Sequence, residues 1–313
     1  MRMVVLGSFV QACCWKVQRL PKAGETYVAS ALSIEAGGKG LNVAIGARRL
    51  GAEVDVLLGI GEDAAGDGLL RLLEKEGISS THVWRLAPQS GYGAGLIAAD
   101  GQNVIAVYPG PNLLLDSGHV HAAESTIAAA DMVYGQLETS LSAVAAAFRC
   151  ARRAGVRTVL NPSPWQCLPT GLLDDTDVLV VNETEAWELL SLRAPLGDSL
   201  TECVVQLRAG LETLWSRWPG RLLVVSLGKL GSVAFERHGA QHPVPAFQVE
   251  AVDSVGAGDA FASRLCLALC VGTPLSTALH HANASGALMA SRFGVLDALP
   301  DTAALETFLR SAV

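Results

Sequence analysis

The stretch Asp253-Ser-Val-Gly-Ala-Gly-Asp-Ala-Phe261 has the residue types of an anion site with a carboxylate fixed beside it. Gly256 and Gly258 let the main chain turn tightly and approach a ligand with no Cβ in the way. From Ala257 to Val271 run good helix formers, with Phe261, Leu265, Ala268 and Leu269 spaced for one buried face. The glycines therefore stand at a helix N-terminus, where the N–H groups of Gly256, Ala257 and Gly258 can converge on a phosphate with the help of the helix dipole. Asp259 falls in the first turn, the place for a base beside a transferred group. The competing account is a plain loop entering a helix, so other stretches must decide.

A second glycine cluster, Gly37-Gly38-Lys39-Gly40-Leu41-Asn42, also opens a helix. Lys39 and Asn42 lie about one helical turn apart and can point at one polar molecule. Two such junctions in one chain argue for a two-substrate site. A third cluster, Asn182-Glu183-Thr184-Glu185, follows the apolar strand Val178 to Val181. Acids and an amide at a strand end suit water-mediated magnesium beside phosphates. The same spacing makes a helix capping box, and both roles can hold at once. Two other nucleotide sites are set aside. The P-loop pattern Gly-x-x-x-x-Gly-Lys-Ser/Thr is absent, and Gly59-Ile-Gly61-Glu-Asp-Ala64 would place two carboxylates where a dinucleotide needs its pyrophosphate.

Around these clusters, half of the 313 residues are apolar, enough for a sizeable core, and the net charge of −7 argues against nucleic acid or an anionic membrane as partner. The seven cysteines contain no Cys-x-x-Cys and read as reduced, small apolar residues of a cytoplasmic protein. Val-Gln-Ala-Cys13 resembles a lipoprotein processing site, but the apolar run before it is short and broken by Gly7 and Ser8, so a buried first strand explains it better. No segment reaches the length of a membrane span.

Strand-like runs at Val4 to Leu6, Val54 to Ile60, Met132 to Tyr134, Thr158 to Leu160, Val178 to Val181 and Leu222 to Ser226 alternate with helical stretches. The helices are expected at Lys39 to Leu50, Ala64 to Glu76, Val120 to Ala129, Leu141 to Ala154, Glu183 to Leu192 and Leu200 to Trp218. This order implies an α/β fold: one domain over residues 1–313, a doubly wound, mostly parallel sheet with helices on both faces. Glu25 to Glu35 and Tyr92 to Tyr108 feed no crossover helix and are expected to pair into a small β-sheet lid, with strands from about 9–36 and 90–109.

With these residues in place, the chain resembles a ribokinase-type member of the PfkB carbohydrate kinase family. The resemblance runs nearly end to end, through Val4 to Ser8, Pro21 to Thr26, Gly37 to Asn42, Gln136 to Glu138, Asn161 to Pro164, Asn182 to Glu185, Leu227-Gly228 and Gly256 to Asp259. It implies ATP-dependent transfer to a hydroxymethyl group of a sugar, with Asp259 taking the hydroxyl proton and the amides of Gly256, Ala257 and Gly258 holding phosphoryl charge. It further implies that Gly38, Lys39, Asn42 and Glu138 line the sugar pocket and that Asn182 and Glu185 organise Mg2+ through water. Ser226, Gly228 and Gly231 would border the ATP phosphates and ribose, with Asn283 near adenine. Asp253 and Val255, with carbonyls around Ser291 to Gly294, would bind K+, although Ala298 stands where the family has a hydroxyl ligand.

The larger departure lies after the first strand, where ribokinases have Asn-x-Asp and this chain has Val10-Gln11-Ala12. The missing aspartate would receive vicinal sugar hydroxyls. Its loss argues against ribose without touching phosphoryl transfer, and Cys13, Cys14 and Trp15 suggest a less polar acceptor, such as a modified sugar or nucleoside. A homologue that binds a small ligand without turning it over is the alternative of another class. A homodimer through an apolar lid face is also expected.

Overall fold

The computed structural model describes residues 1–100, 102–193 and 195–311. The chain begins with β1 (Arg2–Leu6), β2 (Val10–Val17), β3 (Ala31–Gly37), α1 (Lys39–Arg49), β4 (Glu53–Gly61), α2 (Ala64–Glu76), β5 (Val83–Ala87), β6 (Gly91–Ala98) and β7 (Asn103–Tyr108). It continues with α3 (Ser117–Ala122), α4 (Glu124–Ala128), β8 (Met132–Gln136), α5 (Leu141–Arg153), β9 (Arg157–Asn161), α6 (Thr170–Asp174), β10 (Val178–Asn182), α7 (Glu183–Leu189) and α8 (Leu200–Arg217). The last part forms β11 (Leu222–Ser226), β12 (Gly231–Glu236), β13 (Gln241–Pro245), α9 (Ala257–Cys270), α10 (Leu275–Ala290) and α11 (Thr302–Ser311).

Strand β1 shows why the layers form. Met3 and Val5 join the core on one side of the sheet, Val4 and Leu6 the core on the other, and all four are fully buried. A strand apolar on both faces needs helices on both sides. The nine-stranded sheet runs β13-β12-β11-β10-β9-β8-β1-β4-β5, parallel except where β12 pairs antiparallel with β11 and β13. The chain leaves β1 towards β4 on one flank and towards β8 on the other, so the carboxyl ends of β1 and β8 flank a topological switch point, where open α/β sheets bind ligands.

The second sheet, β3-β2-β6-β7, is a small four-stranded sheet beside the main one. Its first half differs in detail from the expected strands. Glu25 to Ala29 form no strand, because Glu25 pairs with Arg19 and accepts the Lys22 N–H at 2.9 Å, closing a turn. Ala12 lies opposite Glu35, and Cys14 opposite Ser33, whereas Cys13 and Trp15 lie opposite Ile34 and Leu32 on the other face. Of the three residues linked to a less polar acceptor, only Cys14 therefore shares a face with Ala12.

Three further differences have local causes. The stretch Val120 to Ala129 breaks at Ala123 into α3 and α4, and α3 begins at an Asp116–His119 capping box. Strand β13 carries Pro243 and Pro245, which weaken its strand signal and are tolerated at a sheet edge. Helix α10 is rich in alanine, serine and glycine, so its buried face, with Ala278, Leu279, Ala282 and Met289, contrasts little with the rest of the sequence. The rejected dinucleotide turn is filled: Asp63 caps α2 through the Gly66 N–H at 2.9 Å and also accepts the Ser90 N–H at 2.8 Å.

The approach of β1 to α1 is set by backbone. A Cβ on Gly40 would fall inside the main chain of Gly7, whereas a Cβ on Gly258 would meet nothing within 4 Å. Gly40→Ala is expected to cost at least about 3 kcal/mol and lower Tm by roughly 5 °C or more. Gly258→Ala should melt within about 1 °C of the native chain on the same scale. Thermal melts followed by circular dichroism check both.

Candidate active site

Helices α1 and α9 meet through small residues. A Cβ on Gly46 would lie 2.6 Å from Ser263 Oγ, and that hydroxyl donates to the Asp259 carbonyl at 2.7 Å. One turn nearer the N-termini, Asn42 Nδ2 donates to Asp259 Oδ2 at 2.7 Å. Asp259 is 7% exposed and Asn42 5%, so this is a buried carboxylate with one strong donor. Asn42 Oδ1 is buried with no partner among the described residues. A hydroxyl donor from a ligand would relieve that cost.

The start of α9 is shaped for an anion. Gly256 has φ +79°, and a Cβ there would lie 2.8 Å from Met289 Cε. The expectation of three converging amides needs correction: the Ala257 N–H donates to the Ser254 carbonyl at 3.2 Å. This follows from the Asx turn in which Asp253 Oδ1 accepts the Val255 N–H at 3.0 Å, winding the preceding residues tightly. The amides of Gly256, Gly258 and Asp259 have no partner among the described residues and form the open N-terminus.

At the switch point, Glu138 Oε2 accepts from Ser8 Oγ at 2.6 Å and from the Lys39 N–H at 2.9 Å. Gly38 has φ +115°, and a Cβ there would lie 2.5 Å from the Ser8 carbonyl. The glycine cluster thus presses against the end of β1 and delivers Lys39 and Asn42 to the carboxyl edge of the sheet. Sequence reasoning had not singled out Ser8, which orients Glu138, nor Tyr134. Tyr134 is fully buried, and its hydroxyl lies 3.4 Å from Asn161 Oδ1. A tyrosine in an otherwise aliphatic strand was the available signal.

Farther along the edge, both bonds of the capping box exist. Asn182 Oδ1 accepts the Glu185 N–H and Glu185 Oε2 the Asn182 N–H, each at 2.9 Å. Glu185 is 4% exposed, and its Oε1 has no hydrogen bond to the described residues. Ser226 is the strand-end neighbour of Asn182. Gly228 has φ +53° and open space beyond it, while Gly231 has φ +113° and is pressed against β13.

The profile of the pfkB family carbohydrate kinases matches residues 2–302. The chain belongs to this family. It is accordingly a carbohydrate kinase, a phosphotransferase with an alcohol group as acceptor. It is 32% identical to a ribokinase of Staphylococcus aureus over 306 residues, covering 96% of each chain. It is also 32% identical to a deoxyribokinase of Salmonella typhi over 263 residues, 83% of each chain. The structure of an Arabidopsis thaliana ribokinase complexed with ribose and ATP aligns at TM-score 0.87 and 26% identity, covering 98% of both chains.

In this kinase the remaining expected residues take these places. Asn283 Nδ2 donates to the Val244 and Pro245 carbonyls at 3.1 Å each, so its amide hydrogens hold α10 to β13. Asp253 is brought to Ser291 because the Val252 and Asp253 N–H groups both donate to the Ala290 carbonyl, at 2.8 and 3.2 Å. Gly294 has φ +96°, and Ala298 is buried.

Burial pushes the Asp259 carboxyl up to about 6; the Lys39 charge and the Asn42 hydrogen bond hold it down, while Glu138 and Glu185 add to the rise. A carboxylate with this value is ionised at neutral pH and still accepts a proton readily. In the folded chain the proton is bound more tightly than in the unfolded chain, whose value is near 3.8, so stability falls as pH rises from about 4 to 6. Asp259→Asn is expected to lower kcat by on the order of a thousandfold with little change in nucleotide binding. The same variant should gain on the order of 2–3 kcal/mol of stability at pH 7.5, a gain that shrinks towards pH 4. For the native chain, kcat/KM should fall below about pH 6, and Asn42→Ala should move that limb upward. Steady-state kinetics and melts across pH check these outcomes.

Proposed function

We propose that the chain transfers the γ-phosphoryl group of ATP to a hydroxymethyl group of a sugar. The observation that carries this is the buried Asp259 carboxylate, bonded to Asn42 and placed in the first turn of a helix whose N-terminus is open. Asp259 accepts the proton of the primary alcohol as its oxygen attacks the γ-phosphorus and the bond to the leaving ADP oxygen breaks. The Gly256, Gly258 and Asp259 amides hold the charge on the transferred group. Transfer of this kind asks a protein mainly for positioning and charge stabilisation.

Gly38, Lys39, Asn42 and Glu138 hold the sugar; Glu138 is oriented by Ser8 and the Lys39 amide, and Asn42 Oδ1 offers an unmet acceptor. Asn182, Ser226, Gly228, Gly231 and Asn283 border ATP along the carboxyl edge. The relatives named ribokinase and the Arabidopsis complex support both substrates. The donor set also suits magnesium. Among the described residues no cluster of three metal-binding side chains exists, which fits an ion that keeps its waters and leans on one or two carboxylates and the phosphates. Glu185 Oε1 and Asn182 are the groups that would hold those waters, and the ion would neutralise phosphate charge. Asp253, Val255, Ser291 and Gly294 form the candidate K+ loop.

Leu32, Ile34 and Val104 are each more than half exposed on the second sheet, which supports a homodimer through it. No helix among the described residues is long and apolar enough to cross a membrane; a cytoplasmic location is part of the proposal. A non-catalytic role is disfavoured because the buried base and the open helix end are both intact.

Glu185→Gln keeps a capping oxygen and removes the charge. Titrating magnesium at fixed ATP should give a raised half-saturation for this variant with sugar KM little changed; an unchanged magnesium curve would make Glu185 a cap only. D-ribose is expected to be a poor acceptor, since Ala12 supplies no carboxylate. Two lost charge-assisted bonds correspond to roughly a hundredfold or more in kcat/KM. Ala12→Asp should recover much of it, and efficient ribose turnover by the native chain would contradict this account.

A further inference from the structure

One carboxylate near the site has no part in the chemistry above. Ala12 faces Glu35 on β3 and Gly93 on β6, while Cys14 faces Ser33 and Gly95. Directly opposed residues share a face, so this side of the second sheet is paved with small side chains around one acid. The face looks at the loop before α11 and at the start of α9. Lys16 Nζ lies 4.2 Å from the centre of the Phe293 ring, and Glu35 Oε2 lies 3.5 Å from the Val295 nitrogen. Val295 Cγ1 is in turn 3.4 Å from the Cβ position of Gly256. Val295 therefore stands between the Glu35 carboxylate and the anion-binding turn and keeps the acid away from the transferred group. Asp253 lies near enough that it and Glu35 both push the Cys14 thiol up, after burial.

We propose that Glu35 is a specificity-determining residue of this kinase: it receives vicinal hydroxyls at the end of the sugar remote from the phosphorylated carbon. The proposal rests on the kinase reading of the site. Its half-buried side chain has a single hydrogen bond among the described residues, at 3.5 Å, against about 2.7–2.9 Å for a charge-assisted bond. Most of its capacity to accept is thus unused, and vicinal hydroxyls suit a carboxylate that can take two donors side by side. The paving by Ala12, Gly93 and Gly95 leaves room for the ligand to reach it. Glu138 and Asn42 grip the sugar from the body, and Glu35 meets it from above. The acid stands on the strand next to Ala12, about 5 Å across the sheet. That offset favours an acceptor longer than a pentose, a free hexose, and ketohexoses, which carry a hydroxymethyl group at each end, are the class the test uses.

The test measures kcat and KM by ADP release for D-ribose, D-fructose, D-psicose, D-tagatose and nucleosides, using the native chain, Glu35→Gln, Glu35→Ala and Ala12→Asp/Glu35→Ala. The native chain should use its best ketohexose at least tenfold better than D-ribose in kcat/KM. Glu35→Ala should raise the KM of that ketohexose at least tenfold, with kcat and the KM of ATP within twofold, and the isosteric Glu35→Gln should fall between. The double variant should turn the preference towards D-ribose. A ketohexose KM unmoved by either single substitution overturns the proposal. So does a joint rise of sugar and ATP KM with a lowered melting temperature in Glu35→Gln, which would make Glu35 a strut between sheet and loop. Ribose or nucleoside turnover with no ketohexose turnover overturns it while leaving the kinase reading intact, whereas no ADP release with any of these sugars or with nucleosides counts against the kinase reading itself.

Discussion

The hydrogen bond from Asn42 to Asp259 joins two helices that are 217 residues apart in sequence, and much of the site depends on it. It forms because Gly46 and Ser263 let the helices touch one turn further on. The closeness of the pair is what buries Asp259, and burial sets the affinity of that carboxylate for its proton. A looser pair of helices would admit water, return the carboxyl towards its ordinary range and weaken it as a base. Packing of small residues in the core is therefore also tuning of chemistry at the edge.

Around this pair, charge is arranged in opposition. Lys39 and the open end of α9 favour negative charge, while Glu138 and Glu185 disfavour it on Asp259. The acids are themselves restrained: Glu138 by Ser8 and the Lys39 amide, Glu185 by its capping box. Restrained carboxylates cannot swing away to relieve repulsion. The arrangement is held under electrostatic tension that a cationic or proton-donating ligand would release.

Much of the fold was legible because its strands are short apolar runs with clear limits, as in Val178 to Val181, and because glycine pairs punctuate the helix starts. The signal faded where burial is two-sided or the residues are small. Helix α10 has small residues on its buried face that contrast weakly with its exposed Ser276, Thr277 and His280, and β13 hides behind two prolines. In the site, Asp259, Asn42 and Lys39 were legible because glycine spacing marked them. Which amides stay free was not, since the Ala257 N–H is taken by a turn that only the path of the backbone reveals. Ser8, in the short link between β1 and β2, carries no pattern, and the one signal for Tyr134 was a tyrosine in an otherwise aliphatic strand. Glu35 stood within the expected lid strand, but its opposition to Ala12 is a matter of register, which turns and long-range packing decide.

The second sheet is assembled from two separate stretches of chain, β2 with β3 and β6 with β7, and its central pair β2–β6 is parallel. Neither stretch is a free-standing hairpin added to the body, and each enters and leaves it, so the sheet is stitched in at four points. Its own ladder bonds keep it coherent, while α9 and the nine-stranded sheet keep the reacting groups in register without it. Sequence change can therefore accumulate in the roof while the floor stays fixed. Descendants of one ancestor could change what they bind by editing a few paired positions across β2 and β3, and still inherit the same phosphoryl-transfer apparatus intact.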